Sequence, residues 1–163
     1  MVTRIALTPV TPYCSIERSL TILGDRWSFL VLREVLLYRE SRFADLQRRL
    51  GIASNVLTDR LDRLVDGGVL EKRPYRDEGS RQRFSYHPTR AGLDLKLVLA
   101  ALQQWGDEHE PRADGPTVDR RTVDGGGPVT VSFMSQDAHP LSVDEVTFER
   151  TAAYPERSSD SRE

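Results

Sequence analysis

Apolar positions recur at helical spacing through the first two thirds of the chain. Over Ser15–Leu23, the residues Ile16, Leu20 and Leu23 fall at i, i+4 and i+7 on one face, and Gly24 stops the run. Asp25 then stands where a carboxylate accepts from the free N–H groups of a new helix. The stretch Arg26 to Leu37, with Trp27, Leu30 and Val31, is apolar on nearly every side, which predicts a helix buried in the core. A third helix is expected over Ser41–Leu50, with Phe43, Leu46 and Leu50 inward and Arg42, Arg48 and Arg49 outward. After the short turn Gly51-Ile52-Ala53, Ser54 is expected to cap a fourth helix with the stripe Leu57, Leu61, Leu64 and Val65. Gly67-Gly68 ends it.

The period then changes to two. Val69–Tyr75 and Gln82–His87 predict strands joined by the turn-forming Asp77-Glu78-Gly79-Ser80, with Phe84 and Tyr86 alternating against a wet face of Arg83, Ser85 and His87. Pro88-Thr89 opens a last helix reaching about His109. Its Leu93, Leu95, Leu97, Val98, Leu99, Leu102 and Trp105 are too many for one face, so this helix must bury against two bodies. Past Glu110 the chain turns polar, and Gly125-Gly126-Gly127-Pro128 is a break; Val129–Phe133 alternates like a strand, with Val143–Phe148 expected to pair with it. Ser158–Glu163 is expected to be disordered. The expected division is a domain over 12–110, an extension over 111–157 and a tail over 158–163. The fold class is mainly α with a small β-hairpin wing (α+β). Helix, helix, helix, turn, helix, hairpin, helix is the order of a winged helix-turn-helix, here with a short C-terminal β-ribbon-like extension.

Composition narrows the function. A single cysteine in 163 residues excludes an intrachain disulfide and a thiolate zinc cluster. No apolar run approaches the roughly 18 residues of a membrane span, and the N-terminus carries no secretory pattern, so a cytoplasmic protein without a membrane partner is expected. The net charge of −2 conceals an uneven distribution. Residues 39–90 hold 12 basic and 8 acidic side chains, whereas 111–163 hold 6 and 10. Basic charge is thus gathered in the centre, where a nucleic-acid footprint would need it. No nucleophile–base triad, phosphate-binding glycine loop or paired carboxylates stand at catalytic spacing, so neither an enzyme nor a cofactor is expected. His109 and His139 are too scattered for a metal site.

The candidate chemistry therefore lies in polar side chains opposite the core. On the helix over 54–66, Ser54 stands at the start, and Asn55, Val56, Asp59, Arg60 and Arg63 project away from Leu57 and Leu61. Asn can bond adenine, Arg can grip guanine with two bonds, and Asp can accept from cytosine. Arg76, Arg81 and Arg83 on the hairpin would meet phosphate or a minor groove, and Arg42 would meet a phosphate at a helix terminus. Against this, Asp59, Asp62 and Asp66 share the helix, and each arginine alone also suits an ordinary solvated face. The residues by themselves leave two readings open: a DNA reader, or a protein-interaction module that uses the winged helix without DNA.

Several runs together resemble a known family. They are Cys14-Ser-Ile-Glu-Arg-Ser-Leu20, Leu23-Gly-Asp-Arg-Trp27, Leu32-Arg-Glu-Val-Leu-Leu37, Arg42-Phe-Ala-Asp-Leu46 and Gly51-Ile-Ala-Ser-Asn-Val-Leu-Thr-Asp-Arg-Leu61. Gly68-Val-Leu-Glu-Lys72, Tyr86, Thr89-Arg-Ala-Gly92 and Gln104-Trp-Gly106 continue the pattern. In this order, over about residues 12–108, they resemble the HxlR family of bacterial regulators. The resemblance implies a MarR-like, dimeric winged-helix regulator with the recognition helix on 54–66 and the wing on 69–87. It implies dimerisation through the first and last helices, for which Ile16, Leu20, Val98, Leu102 and Trp105 are the candidates. The implied partners are double-stranded DNA carrying an inverted repeat, a second copy of the chain, and a small-molecule or redox effector. Members of the family carry a cysteine at the position of Cys14, in some as a redox sensor, and a helix start favours thiolate. The plainer reading of Cys14 is a small apolar residue in a dimer interface. Some relatives continue into a cysteine-bearing ribbon, which Gly125–Pro128 and His139–Val146 resemble without the cysteines; a metal-free hairpin packed on the body is expected there.

Overall fold

Gly24 and Asp25 break the first apolar run into two helices. In a computed structural model, which describes residues 13–79 and 81–154, these are α1 (Ser15–Leu23) and α2 (Arg26–Leu37). The Asp25 carboxylate accepts from the backbone N–H groups of Trp27 and Ser28, as an N-cap should. There follow α3 (Phe43–Leu50), α4 (Ser54–Asp66), β1 (Leu70–Tyr75), β2 (Arg83–Pro88) and α5 (Arg90–His109). The residues expected to form the disordered tail, 158–163, lie outside the described residues.

The core gathers around α2. Its Val31, Leu32, Val35 and Leu36 are buried with Leu46 of α3, with Leu57, Leu61 and Leu64 of α4, and with Leu70 of β1. β1 and β2 form an antiparallel hairpin in the register Leu70↔Pro88 to Tyr75↔Arg83. A bridge between Arg42 and Ser85, with Tyr86 N donating to Ser41 O at 2.8 Å, fastens this hairpin to the chain entering α3. The architecture is a winged helix-turn-helix.

Four local expectations are corrected. The third helix starts at Phe43 rather than Ser41, because Ser41 and Arg42 are committed to the sheet bridge. Ser54 is the first helical residue and not the cap: Leu57 N bonds to Ala53 O, which makes Ala53 the N-cap. In β2, Ser85 is buried and Phe84 half-exposed. Ser85 lies under the Arg42 bridge and its hydroxyl donates to Arg73 O, so the wet face is not where alternation puts it. The ribbon of the extension pairs Phe133–Met134 (β3) with Pro140–Leu141 (β4), and Val143–Glu145 is a 3-10 turn. Val129–Val131 is used elsewhere. Val129 N donates to Arg120 O, and Val131 exchanges two hydrogen bonds, 2.8 and 2.9 Å, with the side-chain amide of Gln104. Gln103 also donates to Val118 O, and Arg120 pairs with Asp107 at 3.2 Å, so the extension docks on the C-terminal half of α5.

Candidate nucleic-acid interface

Gly51 makes the turn between α3 and α4 possible. It sits at φ +62°, a left-handed conformation that favours glycine, and its N–H closes α3 on Gln47 O at 2.9 Å. Ile52 plugs into the core, and Gln47 Nε2 donates to Ser54 Oγ at 2.7 Å across the turn. The hydroxyl expected to cap α4 instead helps to set the angle between the two helices.

On α4, Asn55 is exposed in the first turn. Arg63 is exposed with Asp59 3.9 Å away, and Val56 is partly buried against the core. Arg60 differs from these. Its side chain is only 21% exposed; Nε lies 2.9 Å from Asp25 Oδ1, out of line for a hydrogen bond, and another nitrogen meets Asp59. Arg60 thereby braces α4 against the start of α2. Burial pushes the Asp25 carboxyl up, but the Ser28 hydroxyl and N–H, Arg60 and the Trp27 N–H outweigh it and hold it below the usual range. Asp62 is matched by Lys72 of β1 at 2.6 Å, and this hydrogen bond, opposed by desolvation, raises the Lys72 pKa.

On the hairpin, Arg76, Arg81 and Arg83 are exposed and have no ion pair among the described residues. Arg42 lies over the Tyr75 ring at 4.5 Å and pairs with Asp77 at 3.4 Å, so it reaches a phosphate only by leaving these contacts. The predicted set therefore separates into Asn55, Arg63 and the wing arginines, which are open to solvent, and Arg42 and Arg60, which are engaged.

The sequence reading missed Glu34. Its side chain is 2% exposed; Oε1 accepts from Arg33 Nε at 3.0 Å and Oε2 from Arg49 Nε of α3 at 2.6 Å. Both guanidiniums also lie over the Tyr38 ring. A buried carboxylate so clamped ties α2 to the first helix of the helix-turn-helix. The one signal for it was a charged pair inside the apolar run Leu30–Leu37.

The candidate self-association residues remain uncovered. Ile16, Leu20, Val98, Leu102 and Trp105 are between 41% and 69% exposed, whereas α5 fully buries only Gly92 and Leu99. Cys14 is the N-cap of α1, exposed, its carbonyl accepting from Arg18 N at 3.0 Å while its free thiol makes no cap hydrogen bond. Among the described residues no group of His, Cys, Asp and Glu could hold a metal ion, and no helix is long and apolar enough to cross a membrane.

Known proteins share this arrangement. The family model described as HxlR-like helix-turn-helix matches residues 22–114. An uncharacterised HTH-type transcriptional regulator of Mycobacterium tuberculosis is 40% identical over 107 residues, 66% of this chain and 66% of that protein; the match thus spans just under two thirds of the relative's length. The crystal structure of PA1607, a candidate transcription factor, superposes with a TM-score of 0.73 at 33% identity, covering 85% of this chain and 95% of the other. PA1374 of Pseudomonas aeruginosa, also a candidate transcription factor, gives 0.60 at 35% identity, with 88% and 96% covered. Coverage of that extent requires residues beyond 110, so the extension takes part in both superpositions.

Proposed function

The chain belongs to the HxlR-like helix-turn-helix family, and from that premise we propose that it is a sequence-specific DNA-binding transcriptional regulator that acts as a homodimer. The proposed domain is 12–110, with 111–157 as an accessory extension. α4 lies in the major groove with Asn55 and Arg63 towards base edges, and Ser54 and Asp59 line the approach. The wing places Arg76, Arg81 and Arg83 on the backbone or in a minor groove. Arg42 joins them on release of Asp77, while Arg60 chiefly sets the pose of α4.

The observation that carries this reading is the unequal neutralisation of the arginines. Arg33, Arg42, Arg48, Arg49, Arg60 and Arg63 each meet a carboxylate within 4.0 Å. The three wing arginines meet none among the described residues, and bound phosphates would supply what is missing. Two-fold pairing through α1 and α5 would present two copies of α4 about one DNA turn, roughly 34 Å, apart.

Selection of bound duplexes from a random pool by the full chain tests the proposal. An enriched inverted repeat is the expected outcome. No enrichment, with binding to a protein partner instead, would overturn it in favour of an interaction module that does not read DNA.

A further inference from the structure

The turn of the wing carries two acids to which the DNA reading gives no task. Asp77 and Glu78 stand between Arg76 and Arg81, in the part of the hairpin proposed to meet phosphate. They differ in what they touch. Glu78 is exposed and pairs with no basic side chain among the described residues. Asp77 reaches across to another element: its Oδ1 accepts from Arg42 Nη2 at 3.4 Å, a residue 35 positions away in the chain. Arg42 in turn is held by the wing from three directions. Its backbone is bridged to Ser85 of β2, its guanidinium lies over the Tyr75 ring of β1 at 4.5 Å, and a terminal nitrogen meets Asp77. Arg76, Arg81 and Arg83 have no such carboxylate among the described residues. The side chains of Arg42 and Asp77 are 50% and 44% exposed, so an anion arriving from solution can reach the pair.

We propose that Asp77 is an internal competitor for Arg42: its carboxylate holds the place of a DNA phosphate until the backbone displaces it, and so lowers the affinity of the surface for DNA. The inference rests on the DNA-binding reading given above, and it adds to that surface a residue that works against binding. The physical reason is that two like ligands want one fork. Carboxylate and phosphate both suit the planar guanidinium, and the same edge cannot serve both at once. Tyr75 keeps the guanidinium in place through the exchange, because a cation over a ring is attracted whichever anion sits at its edge. The pair is also weak enough to open. It is a single bond between exposed side chains, a class of contact worth about fivefold at most in an equilibrium. The Glu34 clamp on Arg49, with a carboxylate 2% exposed and a bond of 2.6 Å, is a contact of the opposite kind. Asp77 therefore sets the level of DNA affinity without blocking it.

The test is a double-mutant cycle in the full chain, with affinity for a selected duplex and for a scrambled one measured at several salt concentrations. Asp77→Asn should tighten binding to both, and to the selected duplex by about threefold. Arg42→Gln should cost about threefold more in the Asp77→Asn background than in the wild type, because there the phosphate contact forms without first breaking the pair. In that background Arg42→Gln should also lower the salt slope by about one phosphate contact. Glu78→Gln removes the same charge from the same turn, and its effect should simply add to that of Arg42→Gln. Melting temperatures should stay unchanged for both acid variants, since the side chains are exposed. Additive effects of Asp77→Asn and Arg42→Gln would overturn the inference, because Asp77 would then act only as bulk charge, as Glu78 does. Weaker DNA binding by Asp77→Asn would overturn it as well, since the carboxylate would then be aiming Arg42 at the backbone. In both cases the wild type still binds DNA, and the regulator reading stands. A wild type that binds neither duplex would instead sink that reading, and the inference with it.

Discussion

At the scale of single residues, Asn55 and Arg60 make opposite predictions although both sit on the polar side of α4. Asn55 touches nothing that holds the fold, so Asn55→Ala should change stability by less than about 0.5 kcal/mol. It should weaken binding to the selected site by about 1–3 kcal/mol, and binding to scrambled duplex much less. Arg60→Ala removes the brace to Asp25, so it should lower the melting temperature and weaken both kinds of binding together. Equal loss of specificity with intact stability in the two variants would show that Arg60 reads bases as well. Asp25 adds a pH dependence. Its carboxyl titrates below its ordinary value in the folded chain, so its contribution is complete above the unfolded pKa and is lost as pH falls through the folded one. Urea unfolding should therefore show stability falling as the pH drops below about 4, with a shallower fall in Asp25→Asn, which keeps a capping side chain. Asp25 and Asn55 were legible because a cap and an exposed polar residue are local patterns. The engagement of Arg60 was not, since a helical wheel records the direction of the home core but not the carboxylate of a neighbouring helix. Glu34 was hidden for the same reason, because its partner Arg49 arrives from α3.

Among elements, the junction between the wing and α5 shows what fixes one against the other. Thr89 caps α5 by accepting from Gly92 N, while its own hydroxyl donates to Gly68 O at 2.6 Å, at the entry to β1. Gly92 is required there by a close approach: a Cβ on it would lie 2.2 Å from Val69 O, the carbonyl that already accepts from Thr89 N. Gly92→Ala must push the start of α5 off the sheet, at about 1–3 kcal/mol. Gly106, on the same helix, has nothing within 4 Å of its would-be Cβ, so Gly106→Ala should stabilise by up to about 1 kcal/mol through helix propensity alone. Thermal melts of the two variants check the opposite signs; a shift in the same direction would mean that Val69 yields or that Gly106 meets a partner. The five α-helices and the wing hairpin of the described residues were legible, because each carries a period and a stop. The ribbon of the extension was misplaced because Val129–Val131 satisfies its backbone with Gln104 and Arg120. Alternation encodes a strand, but not a side chain that substitutes for one.

For the whole molecule, the two-sided apolar pattern of α5 becomes a physical imbalance. α5 packs on α2 through Leu99 and on the extension through Gln103 and Gln104, yet Val98, Leu102 and Trp105 stay largely exposed, as do Ile16 and Leu20 of α1. Covering both sets with a second copy would remove that surface from solvent at roughly 25 cal/mol per Å² of apolar area, and an obligate pair of this kind buries on the order of 2,000 Å² or more. Leu102→Glu places a charge in the middle of that surface, where burial without a partner is costly. The variant should run as a monomer by light scattering at concentrations where the wild type is a dimer, while its circular dichroism stays native, since Leu102 is half-exposed within one chain. Its DNA binding should change in a particular way. Two linked copies of α4 gain about 10²–10⁴ in affinity for an inverted repeat over a single copy, so the monomer should lose that factor on the full site and little on an isolated half-site. The wing arginines travel with each copy, so the salt dependence per half-site should persist, with Arg81→Ala lowering its slope by about one phosphate contact. A monomeric wild type, or a Leu102→Glu monomer that binds the full site as tightly as the wild type, would remove the two-fold arrangement and leave α4 acting alone.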